Sequence, residues 1–212
     1  MVSIWYCGMT IAFCIGNGES RKDLDINFLK SYGKVYGCNA IHRDWQIDYL
    51  ICCDKRMVEE ALYADYSGDI YTRPDWYTTF HTPQVKRLNK FPWPQENKWE
   101  QEFHWGSGMH SVNLACVNKA SIIVILGHDF DNSSTLNNIY KNTNNYSKNT
   151  DPNVSPNFWQ KQFEILFVNY PQITFIFCKP DISDWYIKNT WNNIPNVLFQ
   201  STGDMLNDLH IT

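Results

Sequence analysis

Thr10-Ile-Ala-Phe-Cys-Ile15, followed by Gly16-Asn17-Gly18-Glu19-Ser20, is the stretch that decides the fold. Its apolar residues are consecutive rather than alternate and rich in β-formers, so it reads as a strand covered on both faces. Two glycines one residue apart end it. Leu24, Ile26, Phe28 and Leu29 then set up a helix over 23–32, which Gly33 stops. Strand, tight turn and helix in that order form the opening unit of a parallel sheet, because a strand apolar on both sides needs a layer on each.

The same grammar continues outward. Residues 34–40 read as a second strand and 49–53 as a third that ends on Asp54, with a helix over 57–64. Between Tyr71 and Phe103 lie Pro74, Pro83, Pro92 and Pro94 among many aromatics, which predicts an irregular or edge insertion over about 72–104. Gly106-Ser107-Gly108 opens a helix running to Asn118, and 121–126 is the most strand-like segment of the chain. Residues 131–156 are rich in Asn, Ser and Thr and long enough to predict a mobile lid. A helix over 158–167, a strand over 173–178, a short helix over 184–190 and a last strand over 197–199 complete the reading. The expected architecture is one Rossmann-like α/β domain over 1–212, a mostly parallel sheet with helices on both faces and a long lid loop. Ligands of such sheets bind outside the carboxyl ends of the strands.

Composition bounds the function. The 212 residues are 43 % hydrophobic, 19 % charged and 16 % aromatic, which excludes a chain disordered throughout. A net charge of −4 lacks the electrostatic footprint of a general nucleic-acid binder. No run approaches the roughly 18 consecutive apolar residues of a membrane span. Residues 1–15 lack the positively charged start of a signal peptide and read as the first core strand. The seven cysteines are odd in number, contain no CxxC pair and mostly sit in apolar runs, which predicts reduced, buried thiols and a cytoplasmic setting.

Several residues could carry chemistry. The Gly16–Gly18 turn can face its N–H groups and the following helix start toward an anion, or can be a plain strand-to-helix connection. It lacks both the full GxGxxG fingerprint and a GKS/T sequence. Ser107 and Gly108 suit a phosphate or sugar oxygen, or simply start a helix. Asp54 and the Asp129/Asp131 pair follow strands, where carboxylates bind a ribose hydroxyl, orient a loop, hold a divalent cation or stay solvated. His104, His110 and His128 show no zinc-binding spacing, and no metal ligand is assigned. The aromatics from Trp76 to Trp105 pack a core or stack on a ring.

With those residues assembled, the chain resembles the single-domain bacterial sialyltransferases (glycosyltransferase family 42) and, more broadly, the MptE-like (DUF115) superfamily. The likeness is carried by Ile15-Gly-Asn-Gly-Glu-Ser20 with Leu24-Asp25 and Leu29, by Gly37-Cys38-Asn39, by Gly106-Ser-Gly108 with Leu114-Ala115, and by Ile123-Val-Ile-Leu-Gly-His-Asp-Phe130. These short matches keep the family's order and span most of the chain. The same GNG and GCNA text also looks like proteins encoded by marine tailed phages, which would place the chain in a host cytoplasm.

The resemblance implies nucleotide contacts at Gly16, Asn17, Gly18, Asn39, Ser107 and Gly108, while Asp54 looks like the wider superfamily's strand-plus-aspartate element. It also implies a homo-oligomer. One departure stands out: in Asn145-Tyr146-Ser147-Lys148-Asn149-Thr150-Asp151, Tyr146 occupies the place of the family's histidine base. A tyrosine with reference pKa near ~10 is a poor base at neutral pH. Tyr146 and, from another direction, His128 are the catalytic candidates. The leading expectation is a nucleotide-binding transferase, glycosyltransferase-like, with a nucleotide-sugar donor of the CMP-sugar type. The alternatives are a catalytically degenerate nucleotide-fold binding or structural protein, and a magnesium-dependent pterin or nucleotide pyrophosphokinase.

Overall fold

The computed structural model describes residues 8–94, 105–130, 136–151 and 155–211. Eight parallel strands form one sheet in the order β5-β4-β3-β2-β1-β6-β7-β8. They are β1 (Ile11–Ile15), β2 (Lys34–Cys38), β3 (Tyr49–Ile51), β4 (Ile70–Thr72), β5 (Val85–Arg87), β6 (Ile122–Leu126), β7 (Thr174–Lys179) and β8 (Val197–Ser201). Six α-helices lie between them among the described residues and a seventh follows β8: α1 (Ile26–Lys30), α2 (Lys55–Tyr63), α3 (Pro74–Tyr77), α4 (Ser107–Val117), α5 (Pro156–Asn169), α6 (Tyr186–Trp191) and α7 (Thr202–Ile211). The expected α/β architecture holds, and every strand pair is parallel.

Alternation along β1 explains the two layers. Phe13 and Ile15 point into one core with Ile26, Leu29, Met57, Val58, Met205 and Leu209, from α1, α2 and α7. Ala12 and Cys14 point into the other, with Met109, Val112 and Ala115 of α4 and Phe163 and Phe167 of α5. In that second core Phe177 and Trp191 meet each other and both Phe163 and Phe167 edge to face or tilted, while Phe163 and Phe167 stack, with ring centroids 5.0 to 6.0 Å apart. Each such fully buried ring is worth roughly 1.5–3 kcal/mol of transfer free energy. Local signals set the helix ends: the Asp25 carboxylate accepts from the N–H of Asn27 and Phe28 to cap α1.

Three expectations change. The proline-rich stretch, expected to be irregular or edge, carries α3 with Pro74 in its first turn and the edge strand β5, and its start coincides with the end of β4, which lies between β3 and β5; each strand is three residues long. Pro74 and Pro83 flank these strands without interrupting them, so no ladder hydrogen bond is lost. Residues 95–104 of that insertion, His104 among them, lie outside the described set. The chain ends in α7, whose Met205 and Leu209 are buried. The helix expected over 23–32 is one and a half turns long.

The six described cysteines, Cys14, Cys38, Cys52, Cys53, Cys116 and Cys178, are free and buried. Among the described residues no helix is long and apolar enough to cross a membrane.

Candidate functional site

The order of connections reverses between β1 and β6: from β1 the chain steps outward through β2 to β5, then crosses back to β6. At the carboxyl ends of these two strands lies a cavity of about 320 Å³. The nine residues assigned from the sequence to nucleotide contacts or catalysis, Gly16, Asn17, Gly18, Asn39, Asp54, Ser107, Gly108, His128 and Tyr146, line it, as does Asp129. They arrive from the loops after β1, β2, β3 and β6, the start of α4, and the segment 136–151.

The glycine turn is built differently from an open anion cradle. Gly16 N–H donates to Leu126 O and Gly18 N–H to Gly127 O, each at 2.8 Å. Glu19 N–H donates to Asn137 Oδ1 at 2.7 Å, and Ser20 N–H to Asp129 Oδ2 at 3.0 Å. The Ser20 hydroxyl bonds the other Asp129 oxygen. A carboxylate of the chain itself thus occupies the place an anion would take. Glycine is required for this closeness: a Cβ on Gly18 would lie 2.5 Å from the Asp129 carboxyl carbon, and one on Gly16 would meet the Gly127 carbonyl.

Arg21, 4 % exposed, buttresses the turn from beneath. Its Nε donates to Gly16 O at 2.6 Å, and one terminal nitrogen donates to Asn17 Oδ1 at 3.0 Å and to the Tyr140 hydroxyl at 3.1 Å. Asn17 Nδ2 donates to Cys38 O at 3.0 Å and to the Tyr146 hydroxyl at 2.8 Å. Tyr140 in turn donates to Asp44 at 2.6 Å.

The opposite wall keeps its donors open. α4 starts at the cavity with no side-chain cap, and the N–H groups of Ser107, Gly108 and Met109 have no partner among the described residues. The Ser107 hydroxyl donates to Asn39 Oδ1 at 2.8 Å and accepts from Cys53 N–H at 2.9 Å. Asn39 sits in the left-handed region at φ 51°, as do Gly127 at 66° and Phe130 at 53°, so unusual backbone gathers at the cavity rim. The His128 ring packs where side chains on Gly16 and Gly108 would go, and its Nε2 is sealed from solvent without a partner among the described residues. Burial lowers the His128 pKa to about 4, so the imidazole is neutral at pH 7. Burial pushes the Tyr146 phenol well above its ordinary value and keeps it protonated. Trp105, Met109, Phe130, Leu136 and Trp159 make the apolar side of the cavity.

Segment 136–151, within the lid expected over 131–156, covers the site and is tied down by side-chain contacts. Arg43 donates to both oxygens of Glu60, at 2.5 and 2.9 Å, and reaches Thr143 Oγ1 and Asn144 O at 2.6 Å. Asn145 also holds Glu60, Ile139 N–H donates to Asn17 O, and Lys141 pairs with Glu19. Residues 131–135 and 152–154 of the expected lid, Asp131 among them, lie outside the described set.

The sequence reading missed Arg21, Asn137, Asn138 and Trp159. An arginine directly after Gly-Asn-Gly-Glu-Ser was the one local signal; the others are brought in by tertiary structure. His110 lies away from the cavity, stacked on Trp105 at 4.3 Å. No group of three His, Cys, Asp or Glu that could hold a metal occurs among the described residues. With Asp129 engaged by Ser20, Asp54 is the one unengaged carboxylate among the described lining residues, a poor donor set for magnesium. Comparison with known protein families, curated proteins and solved structures returned no match.

Proposed function

We propose that this cavity binds a nucleotide and that the chain is a glycosyltransferase-like transferase using a nucleotide-sugar donor. The observation that carries the reading is the position of the cavity at the β1/β6 reversal, outside the carboxyl ends of the strands, where open α/β sheets take their ligands. The phosphate is assigned to the first turn of α4 instead of the Gly16–Gly18 turn. Ser107, Gly108 and Met109 offer three free N–H groups at the positive end of a helix dipole, beside the unpartnered Nε2 of His128. Asn17 and Asn39 supply polar contacts for base or ribose. Trp105 and Trp159 supply flat apolar surface for a ring. Developing charge on the leaving phosphate would be met by the same preorganised N–H groups.

The test is a thermal-shift screen with nucleotides and nucleotide sugars, followed by a transfer assay with whichever donor binds. A ligand at one hundred times its dissociation constant should stabilise by about 2.7 kcal/mol. Ser107→Ala should weaken that binding, and no shift with any nucleotide overturns the reading. A second reading, a nucleotide binder without turnover, is favoured by the proton states of Tyr146 and His128, neither of which suits a base at neutral pH. It predicts stabilisation without transfer. The pyrophosphokinase reading needs magnesium, for which the cavity offers little, so stabilisation by nucleotide should survive excess chelator.

A further inference from the structure

We infer that Asp54 is the catalytic base, the group that takes the proton from the acceptor hydroxyl; the inference rests on the transferase reading above. Asp54 stands immediately before α2, the position from which an aspartate normally accepts the N–H groups of the first helical turn. Asp25 does this at α1, where its carboxylate accepts at 2.9 and 3.4 Å. Asp54 forgoes it: its side chain makes no cap bond, and its exposed carboxylate lines the cavity. The forgone bonds are worth about 1 kcal/mol at a typical cap.

The backbone at this point is clamped, while the carboxylate has no hydrogen-bond partner among the described residues. Cys53 N–H donates to Ser107 Oγ at 2.9 Å, and Cys53 O accepts from the Trp76 indole at 3.0 Å. Asp54 O accepts from the N–H of Met57 and Val58. The residue is therefore fixed one position along the chain from the contact with Ser107, at the start of α4.

The other titratable groups lining the cavity are occupied or unsuited. Both Asp129 oxygens hold Ser20. The buried Cys38 thiol is pushed up to about 12 and the Tyr146 phenol is raised further, while the His128 imidazole is lowered to about 4. In the step assigned, the acceptor oxygen forms a bond to the anomeric carbon of the donor. The bond from that carbon to the phosphate oxygen breaks, its electron pair leaves with the nucleotide, and the acceptor proton passes to Asp54 and then to water.

The experiment compares wild type with Asp54→Asn, an isosteric change that can still cap α2, measuring nucleotide-induced thermal shift and turnover. Expected are an unchanged shift and turnover reduced at least about 100-fold. Asp54→Ala, assayed with added formate as an external carboxylate, should regain part of the lost turnover, which guards against a folding defect in the first variant. Turnover within a few-fold of wild type overturns the inference. So does loss of the thermal shift in parallel with turnover, which would make Asp54 a ribose contact. A wild-type protein that binds nucleotide but transfers nothing overturns the base assignment while leaving the cavity a nucleotide site; one that binds no nucleotide overturns both.

Discussion

Asn17 and Tyr146, 129 residues apart in sequence, are joined at 2.8 Å by a hydrogen bond from the asparagine amide to the phenol oxygen. The bond ties the turn after β1 to the cap and places the tyrosine hydroxyl as a positioning group that holds the Asn17 amide in orientation. A buried phenol raised above its ordinary pKa by desolvation keeps its proton and serves this role across the neutral range.

Replacing Tyr146 by Phe leaves the ring and removes only the hydroxyl, so Asn17 keeps Cys38 O but loses one acceptor. Denaturant unfolding should show a loss of about 1 kcal/mol. A loss indistinguishable from zero would mean the bond contributes nothing in solution.

Stability should fall on acidification below neutrality. Burial lowers the pKa of His128 to about 4 and of His110 to about 3, from an unfolded value near 6.5. Between those values the unfolded chain binds the extra protons, so stability rises with pH across that window and is lost as pH falls through it. The slope reaches up to about 1.4 kcal/mol per pH unit for each histidine. Urea titrations from pH 7 to 4 on wild type and His128→Asn measure it, and the variant should show the shallower slope.

Two glycine-to-alanine changes make a matched pair. A Cβ at Gly18 meets the Asp129 carboxyl at 2.5 Å and Gly127 O at 2.7 Å, whereas at Gly203, inside α7, the nearest atom is Ser201 Oγ at 3.9 Å. Gly18→Ala should cost about 3 kcal/mol by forcing the two loops apart. Gly203→Ala should be neutral or stabilise by up to about 1 kcal/mol through helix propensity. Melting curves of the two proteins side by side decide this.

The cap should open when its tether is cut. Glu60 receives Arg43 through two hydrogen bonds and Asn145 through a third. Glu60→Gln should raise amide hydrogen exchange in 136–151 about tenfold or more while lowering global stability by only about 1–2 kcal/mol. Equal exchange in variant and wild type would assign the ordering of the cap to its other contacts.

The long apolar strands and their connecting helices were legible because burial on both faces writes a continuous hydrophobic run, as in 11–15, 122–126 and 174–179. β4 and β5 were not, since strands of three residues carry too little pattern and the neighbouring prolines argue against a strand. The candidate residues were legible by type and place in the chain. What they do was less so: nothing in Gly16-Asn17-Gly18 announces that Asp129, more than a hundred residues on, would fill the turn. Likewise, the partners that hold 136–151, Arg43, Glu60 and Arg21, are distant in sequence and leave no mark on its polar text.

The Asp129–Ser20 contact has a consequence for how the site meets its ligand. An anion that arrives from solution must be captured at its free concentration, whereas a carboxylate carried on the loop after the neighbouring strand β6 is tethered at a high effective concentration and pays no fresh translational entropy on docking. The turn after β1 is thus held in shape by a counter-ion belonging to the fold. Its geometry should be the same in the empty and the occupied protein, leaving the binding energy of an incoming ligand to be expressed on the α4 side of the cavity.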